Sequence, residues 1–169
     1  MLSKKLLDAL NDQINYELAS EYLYLAMQSY CESEDLKGFA NFFDVQRQEE
    51  RFHAMKFFNF ITQRDERVLL DPIIGPENEY TGMLDCFEKS LAHEKTVTAR
   101  IYNLSNIAME EREHATLSLL KWFIDEQVEE ENNFTTIVKK LKRIGNDSAA
   151  LYLLDTELAA RVYVAPAIM

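Results

Sequence analysis

The sequence predicts an all-α fold, a four-helix bundle with one long crossover and a short fifth helix at the C-terminus. Three observations lead there. With 47% apolar content and only four Gly and three Pro among 169 residues, the composition favours one compact, soluble, mostly helical domain over residues 1–169. Apolar residues recur at steps of three and four along four long stretches, the repeat of a helix that buries one face. The one stretch rich in Pro and Gly, "DPIIGPENEYTG", lies midway, between the second and third of them.

The first stripe reads Leu7, Leu10, Ile14, Glu17, Glu21, Tyr24, Gln28, Cys31, on a helix over about 5–33. A break near Glu34 to Gly38 precedes the second, Phe39, Phe43, Gln46, Glu50, His53, Phe57, Phe60, on a helix over about 38–64. The third, Met83, Phe87, Ser90, Glu94, Val97, Ile101, Leu104, Ala108, places a helix over about 82–110. The fourth, Thr116, Leu120, Phe123, Gln127, Glu130, Phe134, Ile137, Leu141, Ile144, spans about 113–144 and stops at Gly145 after Lys139, Lys140, Lys142 and Arg143, basic residues suited to a helix C-terminus. A fifth helix over about 147–159 starts from an Asn/Asp cap, and the tail with Pro166 frays or packs elsewhere. Each long helix spans roughly 42 Å at 1.5 Å per residue. The breaks near 36 and 112 are short and imply antiparallel neighbours, whereas Asp65 to Thr81 reaches about 55 Å when extended. That is enough to return along a whole helix, so the second and third helices run parallel.

A net charge of −11, from 18 basic and 29 acidic residues, argues against a nucleic-acid surface and favours cations. The N-terminus "MLSKKLLDAL" and the following Asn11 and Asp12 lack a signal-peptide core, and no apolar run approaches membrane-spanning length. A cytoplasmic protein with no membrane partner is expected. Cys31 and Cys86 form no CxxC pair, so both read as reduced thiols.

Every stripe is interrupted by polar residues near its middle: Glu17; Glu50 with His53; Glu94; Gln127 with Glu130. Glu50 and His53 lie 33 and 36 positions after Glu17, and Gln127 and Glu130 lie 33 and 36 after Glu94. One helical-hairpin pattern therefore occurs twice, offset by 77 residues. Any single glutamate is more often solvated than buried, and acidic runs such as "EQVEEENN" are usually wet helix faces. A lone His is likewise seldom a ligand, and His93 and His114 read as surface residues. His53 differs, because a carboxylate stands three residues before it on the same face and three more mid-helix acids oppose it. A buried, unpaired carboxylate costs several kcal/mol, and no Lys or Arg lies on any stripe. Four carboxylates match two divalent ions, and an oxygen-plus-imidazole set suits Fe(II), Mn or Zn. Trp122, beside the fourth stripe, packs near the site.

The segments "INYELASEYLYL", "VQRQEERFHAMK", "AHEKTVTARI", "LKWFIDEQVEEE" and "LYLLDTEL" together resemble the helices of prokaryotic non-haem ferritins over nearly the whole chain. The resemblance implies an iron-storage protein with a di-iron ferroxidase centre. Glu17, Glu50 and His53 would hold one iron, with Glu50 bridging; Glu94 and Glu130 would hold the second, with Gln127 nearby and Tyr24 matching the family's tyrosine close to the centre. Glu49, Glu126 and Glu129 match acids that form a third iron site with Glu130. It further implies a 24-subunit homo-oligomeric shell with the fifth helix at its four-fold axes, and Fe(II) and O2 as substrates. Haem is not expected: where a bacterioferritin has a second Glu-x-x-His this chain has Gln127 and Glu130, and Phe52 stands where a haem-ligating Met would. Two distant cysteines cannot form a rubrerythrin's four-cysteine domain. Glu21 departs from the family, where a small residue is usual, and either adds a carboxylate to the iron path or turns toward a neighbouring subunit. Two other readings remain: a monomeric or dimeric di-iron oxygenase or peroxidase that retains its metals, and a cage or helical partner module without redox activity, against which the intact set of ligands argues.

Overall fold

In the computed structural model, which describes residues 1–165, five helices follow one another: α1 (Lys4–Ser33), α2 (Lys37–Gln63), α3 (Met83–Glu110), α4 (His114–Ile144) and α5 (Ser148–Leu158). No strand occurs among the described residues. The expected course of the tail around Pro166 lies outside them.

Local chemistry sets the ends. Ser3 Oγ accepts from Leu6 N at 3.0 Å, the Glu113 carboxylate from Thr116 N at 2.6 Å, and Asp147 Oδ1 from the amides of Ala149 and Ala150. Each satisfies amides that a first helical turn leaves without intrahelical partners. Asp35 and Arg112, 77 positions apart, both adopt a left-handed backbone with φ of 57° and 55°. Around them Leu36 N donates to Cys31 O and Glu113 N to Ala108 O, closing both helices by the same six-to-one bond. The 77-residue repeat thus extends to the turns of the two hairpins.

The interior consists of two apolar clusters. One gathers Tyr24, Met27, Phe39, Phe43, Phe87, Phe134 and Leu141; the other gathers Leu6, Leu10, Phe57, Ile61, Ile101, Leu120 and Phe123. Along every long helix the interrupting acids fall between the two. The order in which each helix visits the clusters makes α2 parallel to α3, as a long crossover requires. That crossover lies along α1, where Asn11 Oδ1 accepts from Leu69 N and Asn15 Oδ1 from Asp71 N, each at 2.9 Å.

The third stripe is buried throughout. On α1 the inner face differs from the expected one: Leu6, Ser20 and Met27 are buried, while Leu7, Glu21 and Gln28 are half-buried. Alternating steps of three and four leave a choice at each turn, and the 3.6-residue period of a straight helix selects the earlier residue here. Phe60 and Ile144 are also only half-buried.

α5 caps one end of the bundle, burying Leu154 and Leu158 against α2 and α4. The approach to α2 is close: Phe39 N donates to Asp155 Oδ1 at 2.9 Å, and a Cβ placed on Gly38 would lie 1.6 Å from the Asp155 carbonyl oxygen. Gly38→Ala therefore forces α5 away from α2. A loss of about 1–3 kcal/mol or more is expected by denaturation, with faster amide hydrogen exchange over residues 148–158.

Candidate metal centre

Glu17, Glu50, His53, Glu94, Gln127 and Glu130 are all buried, with at most 2% of their surface exposed. One oxygen each of Glu17 and Glu50 and one ring nitrogen of His53 lie within 4.8 Å of one another, close enough to share an ion. His53, Glu126 and Glu130 form a second such group. His53 Nδ1 stands 3.5 Å from Glu50 Oε2, and its Nε2 stands 4.0 Å from Glu126 Oε1. The ring is fixed by edge contacts with Trp122 at 5.5 Å and Phe123 at 5.8 Å, so Trp122 does pack beside the site.

Amides, not cations, meet these carboxylates. Gln13 Nε2 donates to Glu17 Oε1 and Gln46 Nε2 to Glu130 Oε2, each at 2.9 Å, and Gln46 also reaches Glu50 Oε1 at 3.4 Å. Gln127 Nε2 donates to Glu94 Oε2 at 3.1 Å, and the Tyr24 hydroxyl donates to Glu94 Oε1. Glu94 is thereby engaged on both oxygens. Glu17 Oε2 and Glu50 Oε2 are buried with no hydrogen-bond partner, where such orphans are uncommon and call for a reason. A divalent ion between Glu17, Glu50 and His53 would satisfy both, so the donor set fits iron as well as any other metal that accepts oxygen and imidazole.

Charge tells the same story. Burial pushes the carboxyls of Glu17, Glu50 and Glu130 well above the ordinary range, and neighbouring carboxylates raise each further: Glu50 acts on Glu17, Glu94 on Glu50, and both Glu94 and Glu50 on Glu130. Burial also raises Glu94, opposed by the hydrogen bonds from Tyr24 and Gln127.

The outer acids are spread along a recess of about 290 Å³ lined by Glu49, Phe52, His53, Glu126, Glu129, Val162 and Val164. Glu126 is half-buried and faces His53, Glu129 is exposed, and Glu49 is ion-paired with Arg161 at 2.6 Å. Glu21 does not join the centre. It faces Arg51 at 3.5 Å on the flank of α1 and α2, and Ser20 takes the inward position.

His93 corrects the surface reading. It is half-buried, stacked on Tyr16 at 5.3 Å, edge-on to Tyr24 at 6.0 Å, and 2.7 Å from Ser20 Oγ through Nε2. Burial, and then Arg100, push its pKa down to about 4, so the ring is neutral near pH 7. His114 is exposed, as expected. Sequence reasoning assigned no role to Gln13, Gln46, Arg100 or Arg161. A signal for the glutamines was present: each stands one turn before a core glutamate, Glu17 or Glu50, with the same 33-residue separation.

The sequence model of the family described as a ferritin-like domain matches residues 7–144. The chain belongs to the ferritin family. It is 48% identical over 163 residues to a bacterial non-heme ferritin of Staphylococcus aureus (strain USA300), a match that spans 96% of this chain and 98% of that protein. Over the same length it is 49% identical to a bacterial non-heme ferritin of Staphylococcus epidermidis. Among solved structures, a closed form of Archaeoglobus fulgidus ferritin engineered by mutagenesis superposes with a TM-score of 0.95 at 48% identity, covering 97% of this chain and all of that one. An open pore ferritin from the same hyperthermophilic archaeon gives 0.95 at 48% identity over 96% of this chain and all of its own.

The raised carboxyls of this ferritin chain set a pH dependence. A carboxyl whose pKa is raised on folding stabilises the fold below its ordinary value, about 4.5, and that contribution is lost as pH climbs through the raised value. Glu50→Gln removes one such charge. In metal-free protein it is expected to gain stability over the parent as pH rises from about 5 to 8, by about 1–3 kcal/mol at the upper end. Denaturation of both forms across that range measures the difference.

Proposed function

We propose that this ferritin oxidises Fe(II) with O2 at the buried carboxylate centre and stores the Fe(III) as a mineral inside a multi-subunit cage. The observation that carries the reading is the cluster of four buried carboxylates, Glu17, Glu50, Glu94 and Glu130, two of them with orphaned oxygens. Iron is here the substrate. Glu17, Glu50 and His53 bind one Fe(II), with Glu50 bridging to a second held by Glu94 and Glu130 beside Gln127. Protons held by the raised carboxyls leave as iron binds, and two Fe(II) side by side each give one electron to O2, which takes up two protons and leaves as hydrogen peroxide while both irons become Fe(III). Tyr24 holds Glu94 in place.

Neutral Gln127, in the position matching Glu50 in the repeat, gives the second position one charged ligand fewer than a glutamate there would and favours onward transit of Fe(III). Glu49, Glu126 and Glu129 with Glu130 form a third iron position on the way to the mineral. The cage is a cytoplasmic homo-oligomer of 24 chains with α5 at its four-fold axes, and no haem takes part. Exposed Tyr22, Leu25, Leu70 and Ile74 supply apolar surface for subunit contacts, and no described helix is long and apolar enough to cross a membrane.

The experiment adds a large excess of Fe(II) in air and counts soluble iron per chain co-eluting with protein on a sizing column. Iron far above a few atoms per chain, in a particle much larger than one subunit, is the expected result. Two or three atoms per chain in a small particle would mean retained metals and a di-iron oxygenase or peroxidase instead. Glu50→Ala and His53→Ala should each abolish rapid Fe(II) oxidation while the protein still folds; oxidation at the parent rate in both would sink the site assignment.

A further inference from the structure

Just beyond α5, Arg161 reaches three residues of α2 at once. Its Nη2 donates to Glu49 Oε2 at 2.6 Å, its Nη1 donates to Gln46 Oε1 at 3.0 Å and Phe42 O at 3.3 Å, and the guanidinium lies over the Phe42 ring at 4.3 Å. Arg161 and Glu49 are each about four-fifths buried. The backbone here is pinned as well, since Asn41 Nδ2 donates to Leu158 O at 3.1 Å and to Arg161 O at 2.9 Å. The chain then passes Val162 and Val164 along the wall of the recess that holds Glu49, His53, Glu126 and Glu129.

Two consequences follow from this placement. A guanidinium on Glu49 takes the charge that an arriving cation would need. By accepting from Arg161, Gln46 Oε1 is also turned outward, which leaves Nε2 to donate inward to Glu130 and Glu50. One side chain therefore touches the outer recess directly and the buried centre through one amide.

We propose that Arg161 is a tethered cation that competes with metal for Glu49, so that an ion entering the outer recess displaces the guanidinium and releases Gln46 from its fixed orientation. This rests on the reading of Glu49, Glu126, Glu129 and Glu130 as a third metal position. Arg161 is a positioning residue: it sets the affinity of the outer position, and through Gln46 it couples filling of that position to the setting of Glu130. Such coupling is reciprocal: engagement of Arg161 on Glu49 weakens the outer ion by the same factor by which the ion weakens that engagement.

The test uses the assembled, full-length protein and Zn(II), which binds oxygen and imidazole ligands without redox chemistry. Calorimetric titration gives the number and affinity of ions per chain for the parent, for Arg161→Met, which keeps apolar contact with Phe42 but removes the charge, and for Glu126→Gln/Glu129→Gln. Amide hydrogen exchange over residues 159–165 of the parent, with and without Zn(II), follows displacement without any variant.

The expected result is a third ion, lost in Glu126→Gln/Glu129→Gln, that binds about tenfold tighter in Arg161→Met, together with faster exchange at 159–165 in the zinc-loaded parent. A third ion of equal affinity in the parent and Arg161→Met, with exchange unchanged by zinc, overturns the role of Arg161 and leaves the outer position standing. No third ion in any form overturns the outer position and the proposal together.

Discussion

Four carboxylates sit in the middle of the bundle with no lysine or arginine against them, and the rest of the structure is arranged around that cost. Taking one such charge out of water costs several kcal/mol even after relaxation. The helices answer with neutral donors: amides from Gln13, Gln46 and Gln127 and the hydroxyl of Tyr24. These are enough to hold the side chains in place but not to neutralise them. Two apolar clusters, one on each side, hold this polar layer in the middle of the bundle, and raised carboxyl pKa values are the residual cost. A cation between Glu17, Glu50 and His53 would offset that cost and satisfy both orphaned oxygens.

Guanidiniums stand one step farther out. Arg100 Nε donates to Gln13 Oε1 at 3.0 Å, as Arg161 does to Gln46 Oε1. Each fixes which end of the amide points inward, and each stands outside the layer on a carboxylate of its own, Arg100 on Asp12 and Arg161 on Glu49. The chain thus places positive charge near the carboxylates without placing it against any of the four. Aromatic contacts do the remaining work of orientation: Trp122 and Phe123 fix His53, and Phe43 and Phe134 stack on Tyr24 at 5.9 Å.

The architecture was legible in the sequence because two strong signals agreed. Periodicity gave four helices, and the length of the segment before Thr81 gave a parallel α2 and α3. The repeated spacing of Glu17, Glu50 and His53 in Glu94, Gln127 and Glu130 marked the polar layer, since scattered surface acids do not repeat at 33 and 36 residues. What escaped reading depended on angles finer than a step of three or four. Glu21 and Ser20 are adjacent in sequence, and only the true helical period decides which one turns inward. His93 escaped because its burial comes from Tyr16 and Ser20 on another helix, and Arg161 because its partners lie more than 100 positions away. Long-range pairing of that kind leaves no local pattern.

We propose the buried layer between the two apolar clusters as a two-ion site formed by Glu17, Glu50, His53, Glu94 and Glu130. Anomalous diffraction at the iron edge, from crystals loaded with Fe(II) without oxygen, tests it most directly. Two peaks are expected in the bundle interior, one against Glu17, Glu50 and His53 and one against Glu94 and Glu130, with the Glu50 carboxylate touching both. Iron found only on exposed acids, with the layer between α1, α2, α3 and α4 free of anomalous density, would contradict it.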